Sequence, residues 1–256
     1  MFETMSRTLH ARSAALLVSL ELSLSRIMLL WLLLAGLAAG VRIALSPIPA
    51  GVEPATFTPY LLLIFAPVAS MVLALRWFAD GDRLPQPAVR LARIGSWQPV
   101  DRSRALRHTL YGAGGIMVSL LVGMLLNVPL RAMEYLAAMP ALSGAVPAWL
   151  ATLQLMMTID VVLLTSLYVI AFVAALRRVP SFPRLLIGIW LLDLSMQLIT
   201  ARIVAGMPDL PASVAAALQS LLEGNANKVL ISIALWVPYL LLSKRVNLTY
   251  RNRVPV

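Results

Sequence analysis

With 256 residues, 60% hydrophobic side chains, 12% charged ones and a mean hydropathy of +0.86, the chain holds more apolar surface than a water-soluble core can hide, so it needs lipid as solvent. The absence of cysteine excludes disulfides, thiolate metal sites and a cysteine nucleophile, and the two histidines, His10 and His108, lie in basic flanks; no metal site, cofactor or catalytic activity is expected. The net charge of +10 is gathered at the ends of apolar runs and lacks aromatic interleaving, which points to anionic lipid headgroups as partner and away from nucleic acid.

Residues 1–26 read as a cytoplasmic or interfacial segment. Arg7 and Arg12 before the apolar stretch 14–20 resemble a signal peptide, but Glu21 and Arg26 interrupt it. The reading is an interfacial helix over 11–25 that leads into the first span. Six apolar segments approach or exceed the length needed to cross a bilayer, at 27–45, 58–78, 109–130, 151–176, 185–206 and 225–242. The predicted fold is therefore an all-α integral membrane protein, a six-helix transmembrane bundle.

In the first span Gly36 and Gly40, and in the third Gly115, Ser119 and Gly123, repeat at four-residue spacing, a pattern that lets helix backbones approach. Pro67 in the second span removes a backbone hydrogen bond and predicts a kink. The basic loop 79–108 is broken by Pro85, Pro87 and Pro99. In it Asp101 is placed to cap a helix that runs through Arg104 and Arg107 into the third span, and Trp97 suits the membrane interface. Its expected role is topogenic, with docking of anionic lipid or an acidic partner as the alternative. On the opposite side, Pro211 to Leu222 reads as a short amphipathic surface helix.

Lysine and arginine alternate strictly across these spans. Seventeen fall on one side and four, Arg42, Arg131, Arg202 and Lys228, on the other. By the positive-inside rule both termini are expected in the cytoplasm.

Two carboxylates lie inside the spans, Asp160 and Asp193, each about 13 Å from one end of its helix. An ionisable group at that depth costs about 2.5–3.5 kcal/mol on insertion scales and is a candidate functional site. The short 177–184 connection makes these two helices antiparallel neighbours. Gln197 is one turn from Asp193; Asn127, Gln154, Thr158 and Thr165 add polar groups, and Arg202 or Arg42 could neutralise the carboxylates. Interhelical hydrogen bonding is the expected role, and a proton or cation relay the alternative. No serine–lysine, nucleophile-elbow or zincin spacing occurs.

The carboxy-terminal run Trp236-Val-Pro238-Tyr239, then Ser243-Lys244-Arg245-Val246, then Thr249-Tyr250, resembles the closing motif of the bacterial membrane family called domain of unknown function 2569, with Tyr250 where that family usually has Phe. Phe182-Pro183-Arg184-Leu185, following Arg177-Arg178, resembles the approach to the family's penultimate helix. Gly114-Gly115 with Pro129-Leu130-Arg131 is similar to its first helix, though Ile116 replaces the expected Trp. The resemblance implies a four-span domain over about 109–250, preceded by a two-span extension at 27–78, and implies no activity. Taken with the composition, it leads us to expect a multi-pass protein of the bacterial inner membrane. An accessory or scaffold role toward other membrane proteins is expected; the alternative is a small proton- or cation-coupled transporter using Asp160 and Asp193.

Overall fold

A computed structural model describes residues 13, 15–46, 54–88, 95–142, 144 and 146–256. Arg7, His10, Arg12, Arg90 and Arg93 lie outside the described residues. Among the described residues six helices are long and apolar enough to cross a membrane: α1 (Leu24–Ala44), α2 (Pro54–Trp77), α4 (Met117–Ala138), α5 (Ala148–Leu176), α6 (Phe182–Ala205) and α7 (Ala212–Leu242). Short helices α3 (Arg102–Arg107) and α8 (Lys244–Arg251) flank them, and β1 (Trp97–Pro99) pairs antiparallel with β2 (Arg253–Pro255). Residues 15–22 are helical and lead through a turn at Ser23 into α1, in keeping with the helix expected there.

Helix α5 is the centre of the bundle. Helices α2, α4 and α6 pack along it, α1 packs on α2 and α4, and α7 packs on α6. Its buried side chains include Leu164, Tyr168 and Phe172 together with Ala171, Ala174 and Ala175, small residues that bring the neighbouring backbones close. Helix α1 touches the bundle through Ala35 and Ala39 instead of the neighbouring glycines. A Cβ at Gly36, Gly40 or Gly123 would meet nothing within 4 Å among the described residues. The four-residue glycine repeat therefore faces away from the chain's own helices. Gly115 precedes α4, in a turn where its φ is +68°.

Proline lies inside three spans, α2, α4 and α7, without ending them. In α2, Pro67 has no N–H to offer the Leu63 carbonyl one turn back, and the adjacent Ile64 carbonyl accepts from Trp31 Nε1 of α1 at 2.9 Å. In α4, Pro129 lies inside a helix that continues to Ala138.

Two of the expected elements have other bounds. The third span runs 117–138, not 109–130, because residues 109–116 form a turn in which Gly112 adopts φ +106° and Gly115 φ +68°. The shift of eight residues moves the helix register by about 12 Å. The segment Pro211 to Leu222 is not a separate surface helix: Ala212 to Leu242 is one helix, with Gly224 tolerated in its interior.

In the basic loop, Asp101 caps α3 as expected, its carboxylate accepting from the Ser103 amide at 3.1 Å, but α3 ends at Arg107 rather than running into the next span. Hydrogen bonding with Ser103 holds the Asp101 carboxyl below its usual range.

Candidate functional site

Asp193 sits halfway along α6 and is fully buried, and the polar groups of three helices converge on it. Arg131 of α4 reaches between the two carboxylates. Its Nη1 donates to Asp160 Oδ2 at 3.0 Å, its Nη2 donates to Asp193 Oδ2, and its Nε donates to Asn127 Oδ1 at 2.9 Å. Tyr168 of α5 donates its hydroxyl to Asp193 Oδ2 at 3.1 Å, and its ring centroid lies 5.8 Å from the guanidinium carbon of Arg131. Gln197 Nε2 completes the cluster, 3.3 Å from Asp193 Oδ1 and 3.4 Å from Asp160 Oδ1.

Sequence fixes this geometry through helical spacing. Asn127 and Arg131 are one turn apart on α4, as are Asp193 and Gln197 on α6, so each pair shares a face. Helix α5 brings Asp160 and Tyr168 from between them. Every nitrogen of Arg131 has an oxygen partner, the condition under which a buried guanidinium is tolerated. Chemically the cluster sets one guanidinium between two carboxylates and ties α4, α5 and α6 together.

Four of the five expected site residues, Asp160, Asp193, Gln197 and Asn127, thus meet. The fifth does not. Arg202 is exposed in the last turn of α6, nine residues or about 13 Å along the helix from Asp193. The neutralising cation is Arg131, which the alternation of charges had placed in the opposite flank and the register of α4 carries inside. The signal for it in the sequence is the Asn127–Arg131 spacing on a helix that must also serve two acids. Arg42 donates instead to the Met139 carbonyl at 2.9 Å, tying α1 to the end of α4. Thr165 donates back to Val161, and Thr158 to Gln154, so Tyr135 is left to donate to Thr158 Oγ1 at 2.9 Å. Beside the cluster, between α4 and α7, a cavity of about 150 Å³ is lined by Asn127, Arg131, Tyr168 and Asn225 and by Glu134 and Lys228, which form an ion pair.

The motif residues collect at the other end of the bundle. Trp236 and Tyr239 meet edge to face with centroids 5.8 Å apart on either side of Val237 and Pro238. Ser243 ends α7 and caps α8, accepting from the Val246 amide. Lys244 is exposed and Val246 buried, and Arg245 Nη1 reaches the Gly112 carbonyl at 3.4 Å. The carbonyls orphaned at the end of α7 find donors in α8: Asn247 Nδ2 donates to Leu241 at 2.9 Å and Arg251 Nη1 to Leu240 at 2.9 Å. Burial, with Arg253 and Arg184 nearby, lowers the Arg251 pKa to about 10. The Gly112 amide donates to Thr249 Oγ1 at 3.0 Å. Tyr250 packs against Phe182, centroids 5.1 Å apart, and donates to the Ala175 carbonyl at 2.8 Å. Burial raises its pKa. Pro183 opens α6, where a missing N–H costs nothing.

These contacts tie the residues of the closing motif to Phe182 and the glycine turn, which are distant in the chain. The profile of the family described as "Protein of unknown function (DUF2569)" matches residues 110–251, more than half of the chain. The chain belongs to this family. The DUF2569 match covers α4 to α8, and so includes Arg131, Asp160 and Asp193 as well as the closing motif; α1 and α2 precede it. No curated protein and no solved structure matches the chain.

Proposed function

We propose that this DUF2569 protein is a non-catalytic accessory or scaffold protein of the bacterial inner membrane that binds other membrane proteins, with both termini in the cytoplasm. The observation that carries the reading is the internal pairing of the buried charges: Arg131 engages both carboxylates of the cluster, and Asp193 has no exposed surface. A cluster arranged this way fixes helix positions. The outward faces bearing Gly36, Gly40 and Gly123 support the partner side of the proposal, since they suit close approach by another helix. The orientation is supported by the charge alternation, which strengthens once Arg131 is removed from the flanks.

Site-directed photo-crosslinking from positions 40 and 123 in native membranes, followed by pull-down in mild detergent, tests it. Crosslinked membrane-protein partners are expected at both positions; monomers alone would overturn the proposal.

A second reading, a small proton- or cation-coupled transporter, is favoured by the polar cavity beside Arg131 and by the excess of carboxylates over cations in the cluster. It requires that Asp160→Asn or Asp193→Asn abolish ion flux in reconstituted vesicles.

A further inference from the structure

A polar cavity lies at the end of the bundle where α5 and α7 finish and α4 begins. It measures about 520 Å³, and its walls come from the turn Tyr111 to Gly114, from Leu176 and Arg178, from Arg245, and from Ser13, Leu17, Val18 and Glu21 of the amino-terminal helix. By its place at the helix ends it stands at the level of lipid headgroups.

Two guanidinium groups reach the rim from different elements. Arg178 lies over the Tyr111 ring, 5.3 Å from its centroid, and Arg245 Nη1 is anchored on the Gly112 carbonyl at 3.4 Å. Adjacent residues of one turn therefore position both. Among the described residues the one carboxylate in the wall, Glu21, is engaged by Arg177 at 3.2 Å, which leaves Arg178 and Arg245 in excess there. The floor is kept open by Gly114, where a Cβ would already stand 3.4 Å from Arg245 Nη1 and 3.8 Å from the Ser13 hydroxyl. Leu17, Val18, Ala113 and Leu176 supply an apolar side wall.

We propose that this cavity binds a phosphate-bearing anion, Arg178 and Arg245 holding the phosphate and the apolar wall taking the carbon skeleton attached to it. Planar guanidinium pairs suit phosphate, which offers several acceptor oxygens to charge-assisted hydrogen bonds. The cavity is of a size that holds a small ligand, not a lone inorganic ion. Tyr111 to Gly114, Leu176, Arg178 and Arg245 belong to the matched family region, while the residues of the amino-terminal helix close the site from outside it. A phospholipid headgroup and a free phosphorylated metabolite share this chemistry.

The full chain in nanodiscs of phosphatidylcholine doped with phosphatidylglycerol, read by native mass spectrometry, measures retained anionic lipid; thermal shifts with glycerol 3-phosphate and with inorganic phosphate measure the free source. Arg178→Gln/Arg245→Gln is expected to weaken binding of whichever source is used by at least about tenfold, the consequence of losing charge-assisted hydrogen bonds. Lys244→Gln, outside the cavity, is expected to leave it unchanged. Selective loss of phosphatidylglycerol identifies a lipid site; selective loss of the glycerol 3-phosphate response identifies a soluble ligand. Equal losses from Lys244→Gln would reduce the effect to surface charge, and no binding of any probe by the unaltered chain would likewise overturn the proposal. If the double variant fails to fold, Gly114→Leu, which fills the floor and keeps both arginines, is expected to lose binding in the same assay; binding retained by a folded Gly114→Leu chain overturns it.

Discussion

The Tyr250 hydroxyl donates to the Ala175 carbonyl at 2.8 Å, and its ring packs on Phe182, so one side chain joins α8 to both α5 and α6. Tyr250→Phe keeps the ring contact and removes the bond; thermal denaturation in detergent is expected to show a loss of about 1 kcal/mol, the worth of one intramolecular hydrogen bond. A loss beyond what one hydrogen bond supplies would mean that the ring packing depends on the hydroxyl. Residues of this kind differ in how well the sequence discloses them. Asp160 and Asp193 are legible because a carboxylate within an apolar run stands out by composition alone. Arg131 is hidden by its neighbours: following Pro129, it has the look of a charged flank at a helix end. Only the turn at Gly112 to Gly115, which delays the start of α4, carries it into the bundle. Arg202 misleads for the converse reason, since a position nine residues from Asp193 is more than two turns away.

At the scale of elements, the spans are readable from apolar length, and their ends are not. Helix α7 illustrates the difficulty, because Glu223 and Lys228 break the hydropathy of a helix that is continuous from Ala212 to Leu242. The pairing of β1 with β2 leaves no sequence pattern at all: two three-residue strands more than 150 positions apart meet only because α8 turns the chain back, with Asn252 in the left-handed conformation after it. Deleting residues 252–256 is expected to speed amide exchange at Gln98 and Val100, the latter of which donates to the Asn252 carbonyl at 2.9 Å, while leaving α5 unchanged. Helix α3 gives a pH test. Asp101 has a carboxyl pKa below its ordinary value, so its capping is fully present above that ordinary value and is lost as pH falls through the lowered one. Exchange at Ser103, whose amide Asp101 accepts, should therefore rise in acid below the usual carboxylate range, and Asp101→Ala should reproduce the rise at neutral pH. If exchange in the variant matched the unaltered chain, the cap would have no role.

For the molecule as a whole, the matched DUF2569 region and the two helices before it form joined packing, since α2 lies along α5 and α1 touches α4. What holds the centre is the clamp of Arg131 on Asp160 and Asp193, and a structural clamp has a different signature from an ion-binding site. Removing one member of a buried charge set leaves the others uncompensated, at a cost of about 3–5 kcal/mol, whereas replacing all the charges together can be close to neutral. The decisive measurement is therefore the stability in detergent of Arg131→Gln beside that of Arg131→Gln/Asp160→Asn/Asp193→Asn. The single variant is expected to lose most of the protein's stability and the triple variant to regain most of it with the same helical content; a single variant as stable as the unaltered chain, or a triple variant no better than the single one, would contradict the clamp.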